Sequence, residues 1–298
     1  MVAWVNYLPS AICRPAIARS REARGRSVAK SRQLRTAEKR NAGAIAAWLR
    51  GRRERNTLPA SSSYWQVFLF VTANLVLLAF LVFDVPAAAT AGDVPAAVRS
   101  VSRAVTDIGK SGWILFGSAF VFFAAFVATG RIEDARRRFQ ALYTSQISLY
   151  LFATVALSGL SANLIKRAIG RARPVQFEEW GVFGFSPFAG SARFESFPSG
   201  HATTIGALFM ALALLLPRHR AVLAMLAIWL GMTRVMVGAH YPSDVTAGLA
   251  FGAWFSLLIA IAFSRYGIVF KPGPNGLPVP RLALPHNIWP NLRMRRSR

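Results

Sequence analysis

The chain has 298 residues, 54% of them hydrophobic, and carries 36 Lys and Arg against 12 Asp and Glu, a formal net charge of +24. Long apolar runs with such a charge exclude an ordinary soluble globule, which would have to expose them, and fit apolar membrane spans with basic flanks. Nucleic acid is not an expected partner, because no zinc-finger or RNP-type motif accompanies the charge, and the single Cys13 excludes an intramolecular disulfide framework or a Cys-rich metal site.

Residues 1–60 are rich in Arg and Lys, opposed only by Glu22, Glu38 and Glu54, and contain no apolar core of a cleavable signal peptide. Ile45, Trp48 and Leu49 sit at helical spacing between Arg40 and the group Arg50, Arg52 and Arg53. Two readings stay open here: a solvated cytoplasmic tail, or a juxtamembrane amphipathic helix lying on anionic lipid headgroups. Six apolar segments follow, at 65–83, 112–129, 142–164, 201–216, 221–238 and 245–263. Each is close to the length that crosses a hydrocarbon core of about 30 Å, the fourth being the shortest. Tyr64, Trp65 and Trp113 open the first two as interfacial aromatics do. Between them Val98, Val101, Val105 and Ile108 alternate with Arg99, Arg103 and Asp107, the pattern of a short helix along the interface.

The expected fold is therefore all-α: a polytopic membrane protein with a six-span domain over 61–265. A Pro-rich basic tail follows over 266–298, extended or disordered from Lys271 to Pro290. Placing the N-terminus in the cytoplasm puts most Lys and Arg on that side. They fall in residues 1–60, in the loop with Arg131, Arg136, Arg137 and Arg138, in the turn with Arg218 and Arg220, and in the tail. Both termini are then cytoplasmic, and the ends of spans three and five and the starts of four and six face outward.

Three clusters lie at those outward boundaries. Lys166 and Arg173 follow span three, Pro198-Ser199-Gly200-His201 opens span four, and Arg234, His240 and Asp244 bridge spans five and six. Lys166, Arg173 and Arg234 can neutralise a phosphoryl group, the arginines with paired hydrogen bonds to its oxygens. Ser199 and Gly200 precede a helix, so their backbone N–H groups are expected to point at an anion. His240 and Asp244, four apart, are expected within one helical turn at an exposed span end, the carboxylate fixing the tautomer of a ring free to attack phosphorus. His201 would protonate the leaving group and then activate water. Taken singly, each feature has an ordinary explanation: a structural histidine, snorkelling cations, a turn before a helix. Their shared face argues otherwise.

The chain resembles the type 2 phosphatidic acid phosphatase (PAP2) superfamily, with its Lys-x6-Arg-Pro, Pro-Ser-Gly-His and Ser-Arg-x5-His-x3-Asp signature. Lys166, Arg173 and Pro174 match the first part, Pro198 to His201 the second, and Arg234, His240 and Asp244 the third; Thr233 stands where the family usually has Ser. The resemblance implies a metal-independent phosphatase needing no cofactor. It makes His240 the nucleophile, Asp244 its orienter and His201 the acid and base, with Lys166, Arg173, Ser199, Gly200 and Arg234 holding phosphate. A related soluble branch holds vanadate in the same pocket, and six spans argue against that role.

The outer loop 175–197 carries Phe177, Trp180, Phe183, Phe185, Phe188 and Phe194, either packed as a lid or set in the interface to admit a lipid headgroup. A site beside it suggests a membrane lipid substrate over a soluble sugar phosphate. Similarity to bacterial members suggests undecaprenyl pyrophosphate, lipid A phosphate, phosphatidylglycerophosphate or phosphatidate, at a bacterial inner membrane. A transporter would instead hold ionisable groups at mid-membrane depth, where these spans have mainly Asn74 and a few hydroxyls. A purely structural protein would tolerate loss of His240.

Overall fold

The computed structural model describes residue 47 and residues 49–54, 64–273 and 276–282. The chain divides into two units, 1–55 and 56–298. In the first, residues 49–54 are helical, while the amphipathic stretch expected at Ile45 and Trp48 lies outside the described residues.

The second unit is a helical bundle. Its helices of six residues or more, among the described residues, are α1 (Tyr64–Leu78), α2 (Asp84–Ala89), α3 (Ala96–Thr106), α4 (Ser111–Thr129), α5 (Ala135–Ile169), α6 (Gly200–Leu215), α7 (Arg220–Met236) and α8 (Pro242–Arg265). α1 runs into α2 through a π-helical turn, Ala79–Phe83. Pro86 accounts for the widening: it lacks an N–H, and its ring would meet the carbonyl one turn back. Among the described residues, four stretches are long and apolar enough to cross a membrane: Trp65–Ala89, Ala96–Thr129, Ala135–Ile169 and Pro242–Arg265. α6, with 16 residues, and α7, with 17, stand where the fourth and fifth spans are expected and lie at the short end of the length that crosses. The chain is a membrane protein. Phe70 on α1 and Phe116 on α4 are 70% and 76% exposed, an arrangement that only an apolar solvent tolerates over whole helices.

α3 forms where the interfacial helix is expected. Val98 and Val101 point outward and the polar Ser102 and Thr106 inward, against α7. α5 is the longest element; its 35 residues span about 52 Å at 1.5 Å each, more than one hydrocarbon core. Asp134 caps its start by accepting from Arg137 N at 2.7 Å.

α6 and α8 make the closest approach in the bundle. A Cβ on Gly252 would lie 2.1 Å from the carbonyl oxygen of Thr203, and one on Gly206 would lie 2.1 Å from that of Leu249. Tyr150 of α5 reaches across and donates to the Ser256 carbonyl of α8 at 3.1 Å. Around it Ala211, Leu214, Leu215, Ile259 and Ala260 form a core that Val269 and Phe270 complete. In its described part the tail is extended chain, paired with itself. β1 (Phe270–Pro272) pairs antiparallel with β2 (Pro278–Pro280), and burial of Val269 and Phe270 anchors this hairpin to the bundle.

Candidate active site

The end of α5, the start of α6, the end of α7 and the start of α8 meet at one end of the bundle, and all three sequence clusters lie there. α5 ends on Gly170, whose left-handed backbone (φ 63°) lets its N–H bond the Lys166 carbonyl at 2.9 Å. The chain leaves extended and is stitched to the loop 175–197. Ala172 N donates to Gly184 O at 2.8 Å, Arg173 N to Arg193 O at 2.9 Å, and Ser196 N to Arg171 O at 3.0 Å. Lys166 is buried, and a Cβ on Gly200 would come within 3.3 Å of its Nζ, so a larger residue at 200 would crowd the amine. Arg173 spends one Nη2 bond on the Glu195 carbonyl at 3.4 Å, and its Nε has no partner.

Ser199 is the N-cap of α6, its Oγ accepting from Ala202 N at 3.4 Å. Its own N–H is committed to the Asp244 carbonyl at 3.0 Å, and the residue is fully buried. Of the two amides expected to face an anion, that of Ser199 is therefore taken. Gly200 and His201 open the helix and supply first-turn amides without intrahelical partners.

Arg234 ends α7, with Nη1 donating to Thr106 Oγ1 at 3.3 Å and Nε unpartnered. The Thr233 hydroxyl is buried and bonds the Leu230 carbonyl at 2.6 Å, so it serves its own helix and not the site. His240 departs from expectation in two ways. It is 3% exposed instead of lying at an open span end. It also sits in the turn before Tyr241, the N-cap of α8, while Asp244 is inside that helix as half of a capping box, accepting from Tyr241 N at 3.0 Å. Proline at 242 fixes this break, being favoured at the first helical position. His240 Nδ1 lies 3.7 Å from Asp244 Oδ2, longer than a hydrogen bond. Burial lowers the His240 pKa to about 4 against the opposing pull of Asp244, so the ring is neutral at pH 7.

Four further side chains at the site, Arg171, Asp84, Ser243 and Ser196, have no counterpart among the sequence candidates. Arg171, inside the six-residue gap of the first cluster, is 2% exposed and bonds Asp244 Oδ1 through Nη1 at 2.6 Å and Asp84 Oδ2 through Nη2 at 2.8 Å. Asp84 is fully buried at the start of α2 and accepts from Ser243 N at 2.9 Å and from Ser243 Oγ at 2.5 Å. Ser196 Oγ donates to the other Asp244 oxygen at 2.5 Å. One signal was legible beforehand: a lone Asp ending an apolar span is costly unless something pairs with it.

The result is a cluster of three cations around two imidazoles. His201 is within electrostatic reach of Arg234, His240 and Lys166, and His240 of Arg173 and Arg234. Among the described residues, no group of three or more His, Cys, Asp and Glu could hold a metal ion. Behind the site an apolar groove of about 890 Å³ runs between α1, the end of α5 and α8, lined by Phe68, Leu77, Ile165, Phe197, Ala250 and Trp254 among others. Phe183, Phe185, Phe188 and Trp180 of the loop 175–197 are exposed, favouring contact with the interface over a packed lid.

The profile of the PAP2 superfamily matches residues 147–267, which include all three clusters. A lipid A 1-phosphatase of Rhizobium johnstonii is 56% identical over 215 residues, 72% of this chain and 87% of that protein. A lipid A 1-phosphatase of Rhizobium etli is 54% identical over 221 residues, 74% of this chain and 94% of that protein. Among solved structures, a transmembrane PAP2-type phosphatidylglycerolphosphate phosphatase from Bacillus subtilis is similar with a TM-score of 0.44 and 21% identity, over 65% of this chain and 91% of that one.

Proposed function

The chain belongs to the PAP2 superfamily and is a membrane lipid phosphatase, and from that premise we propose that it removes the 1-phosphate of lipid A through a phosphohistidine intermediate. The observation that carries the reading is the meeting of Lys166, Arg173 and Arg234 with two histidines at one end of four helices, two of the guanidinium groups keeping an unpartnered Nε. The two Rhizobium relatives, similar over most of their length, support the choice of lipid.

Lys166, Arg173 and Arg234 hold the phosphoryl oxygens together with the amides of Gly200 and His201. Asp244 faces Nδ1 of His240, which leaves Nε2 to attack phosphorus. The N–P bond forms as the bond to the sugar oxygen breaks, and His201, protonated once the anionic phosphate is bound beside it, delivers that proton to the sugar oxygen. His201 then takes a proton from water, whose oxygen attacks phosphorus and releases His240. The products are inorganic phosphate and the lipid without that group. No metal ion takes part. The acyl chains lie along the apolar groove beside the site. The protein sits in a bacterial inner membrane with both termini in the cytoplasm and the site on the outer face, as the distribution of Lys and Arg favours. The basic segment before α1 rests on anionic headgroups.

Phosphate release by the purified, detergent-solubilised protein tests this, using lipid A, undecaprenyl pyrophosphate, phosphatidylglycerophosphate, phosphatidate and glucose 6-phosphate. Release from lipid A above the others, absent in His240→Ala, is expected. Equal release by the variant would overturn the mechanism, and preference for another lipid would overturn the substrate.

A further inference from the structure

Asp84 is an acid on an otherwise lipid-facing helix, and every contact it makes leads to the catalytic turn. The π-helical turn Ala79–Phe83 directly precedes it and sets the direction in which it leaves α1. Its two oxygens take three hydrogen bonds, two from Ser243 and one from Arg171. Arg171 forks between Asp84 and Asp244, with its guanidinium over the ring of Tyr241 at 4.3 Å and that of Phe80 at 5.0 Å. All three charged groups are at most 2% exposed. At this depth charge is not screened by water, so the sum over the group decides its field. Asp244 with Arg171 alone would be a neutral pair. Asp84 makes the triad net negative.

We propose that Asp84 is a positioning residue for the phosphatase reaction: by balancing Arg171, it leaves the Asp244 carboxylate its charge for the His240 ring 3.7 Å away. The need arises in the chemical step. When His240 Nε2 bonds to phosphorus the ring becomes cationic while Nδ1 keeps its proton, and a net negative group beside it stabilises that state. Substrate binding depends on a different set of groups, Lys166, Arg173 and Arg234. The effect therefore falls on kcat. The proposal rests on His240 being the nucleophile. A simple structural role, a staple between α2 and α8, would lower stability without this selectivity.

A double-mutant cycle on the full-length enzyme separates the two, with Asp84→Asn, Arg171→Gln and the pair combined, assayed for kcat and KM and for retained vanadate binding. Asp84→Asn is expected to lower kcat by about tenfold or more with KM within about threefold, the range of coupling between contacting groups. Combining it with Arg171→Gln restores one net negative charge and recovers kcat above that of Asp84→Asn. The combined variant leaves neither Arg171 nor Asp84 as a lone buried charge, and Asp244 keeps the bonds from Ser196 Oγ and Tyr241 N that hold its carboxylate. If Asp84→Asn does not fold, the combined variant carries the test alone, with kcat expected within about tenfold of the native enzyme. Native kcat in Asp84→Asn, or a folded, vanadate-binding combined variant no better than the worse single one, would overturn the proposal. His240→Ala is assayed alongside: if it stays active the nucleophile assignment fails, whereas failure of the cycle alone leaves that assignment standing.

Discussion

Gly252→Ala adds one methyl group, and the structure says where it goes. Its Cβ would lie 2.1 Å from Thr203 O, 2.6 Å from Ala207 N and 3.0 Å from Thr203 C. All three atoms are backbone of α6, so no side chain can rotate away. Ordinary contact begins near 3.4 Å, and α6 and α8 must separate by about 1 Å. Overpacking of this kind costs about 1–3 kcal/mol. For a chain of this size that is a fall of about 2–12 °C in Tm. The same two helices carry Ser199–His201 and Asp244, joined by the bond from Ser199 N to Asp244 O. A shift of about 1 Å between reacting groups can cost about a hundredfold in rate, so activity falls further than stability. Gly117→Ala is the control: nothing lies within 4 Å of its Cβ, and Ala is the better helix former. Thermal melting in detergent and kcat for phosphate release, measured on both variants, decide the matter. Native Tm and kcat in Gly252→Ala would refute the reasoning.

Arg173→Lys keeps the charge but loses the directed Nε donor, a charge-assisted bond of about 1.5–3 kcal/mol, so kcat/KM should fall about 10- to 150-fold in steady-state assays. Asp244→Asn should lower kcat by less than His240→Ala does, since orientation and charge are lost but the nucleophile survives; single-turnover rates compare the two. The His240 pKa of about 4 lies below its ordinary 6.5, so the unfolded chain binds this proton first as pH falls. Its contribution to stability is complete above pH 6.5 and is lost toward pH 4. NMR of labelled histidine, assigned by difference with His240→Asn, should show no titration of this ring between about pH 5 and 8; a midpoint near 6.5 would contradict its burial.

Much of the site was legible because its residues lie close in sequence to helix ends that hydropathy locates. Lys166, Ser199, Arg234 and Asp244 each sit within a few residues of a span boundary, and a common topology brings those boundaries together. Arg171 was not legible as a partner of Asp244, because 73 residues separate them and only packing joins them. Asp84 was hidden for a related reason: its inward direction follows a π-helical turn, which hydrophobic periodicity does not register. The burial of His240 comes from Pro242 and Tyr241, which start α8 after the histidine instead of before it. The pairing of 270–272 with 278–280 escaped notice because its Pro-rich composition reads as extended chain, while its anchor is a few scattered buried residues, Val269, Phe270 and Pro278.

The central claim is transfer of the phosphoryl group to His240. It is tested most directly by mixing enzyme in excess with lipid A labelled in its 1-phosphate and quenching in alkali, where phosphohistidine survives. The account predicts label on the protein within one turnover, removable by acid and absent from His240→Ala. Label on the His240→Ala protein, or phosphate released in a burst with no labelled enzyme at any quench time, would contradict it.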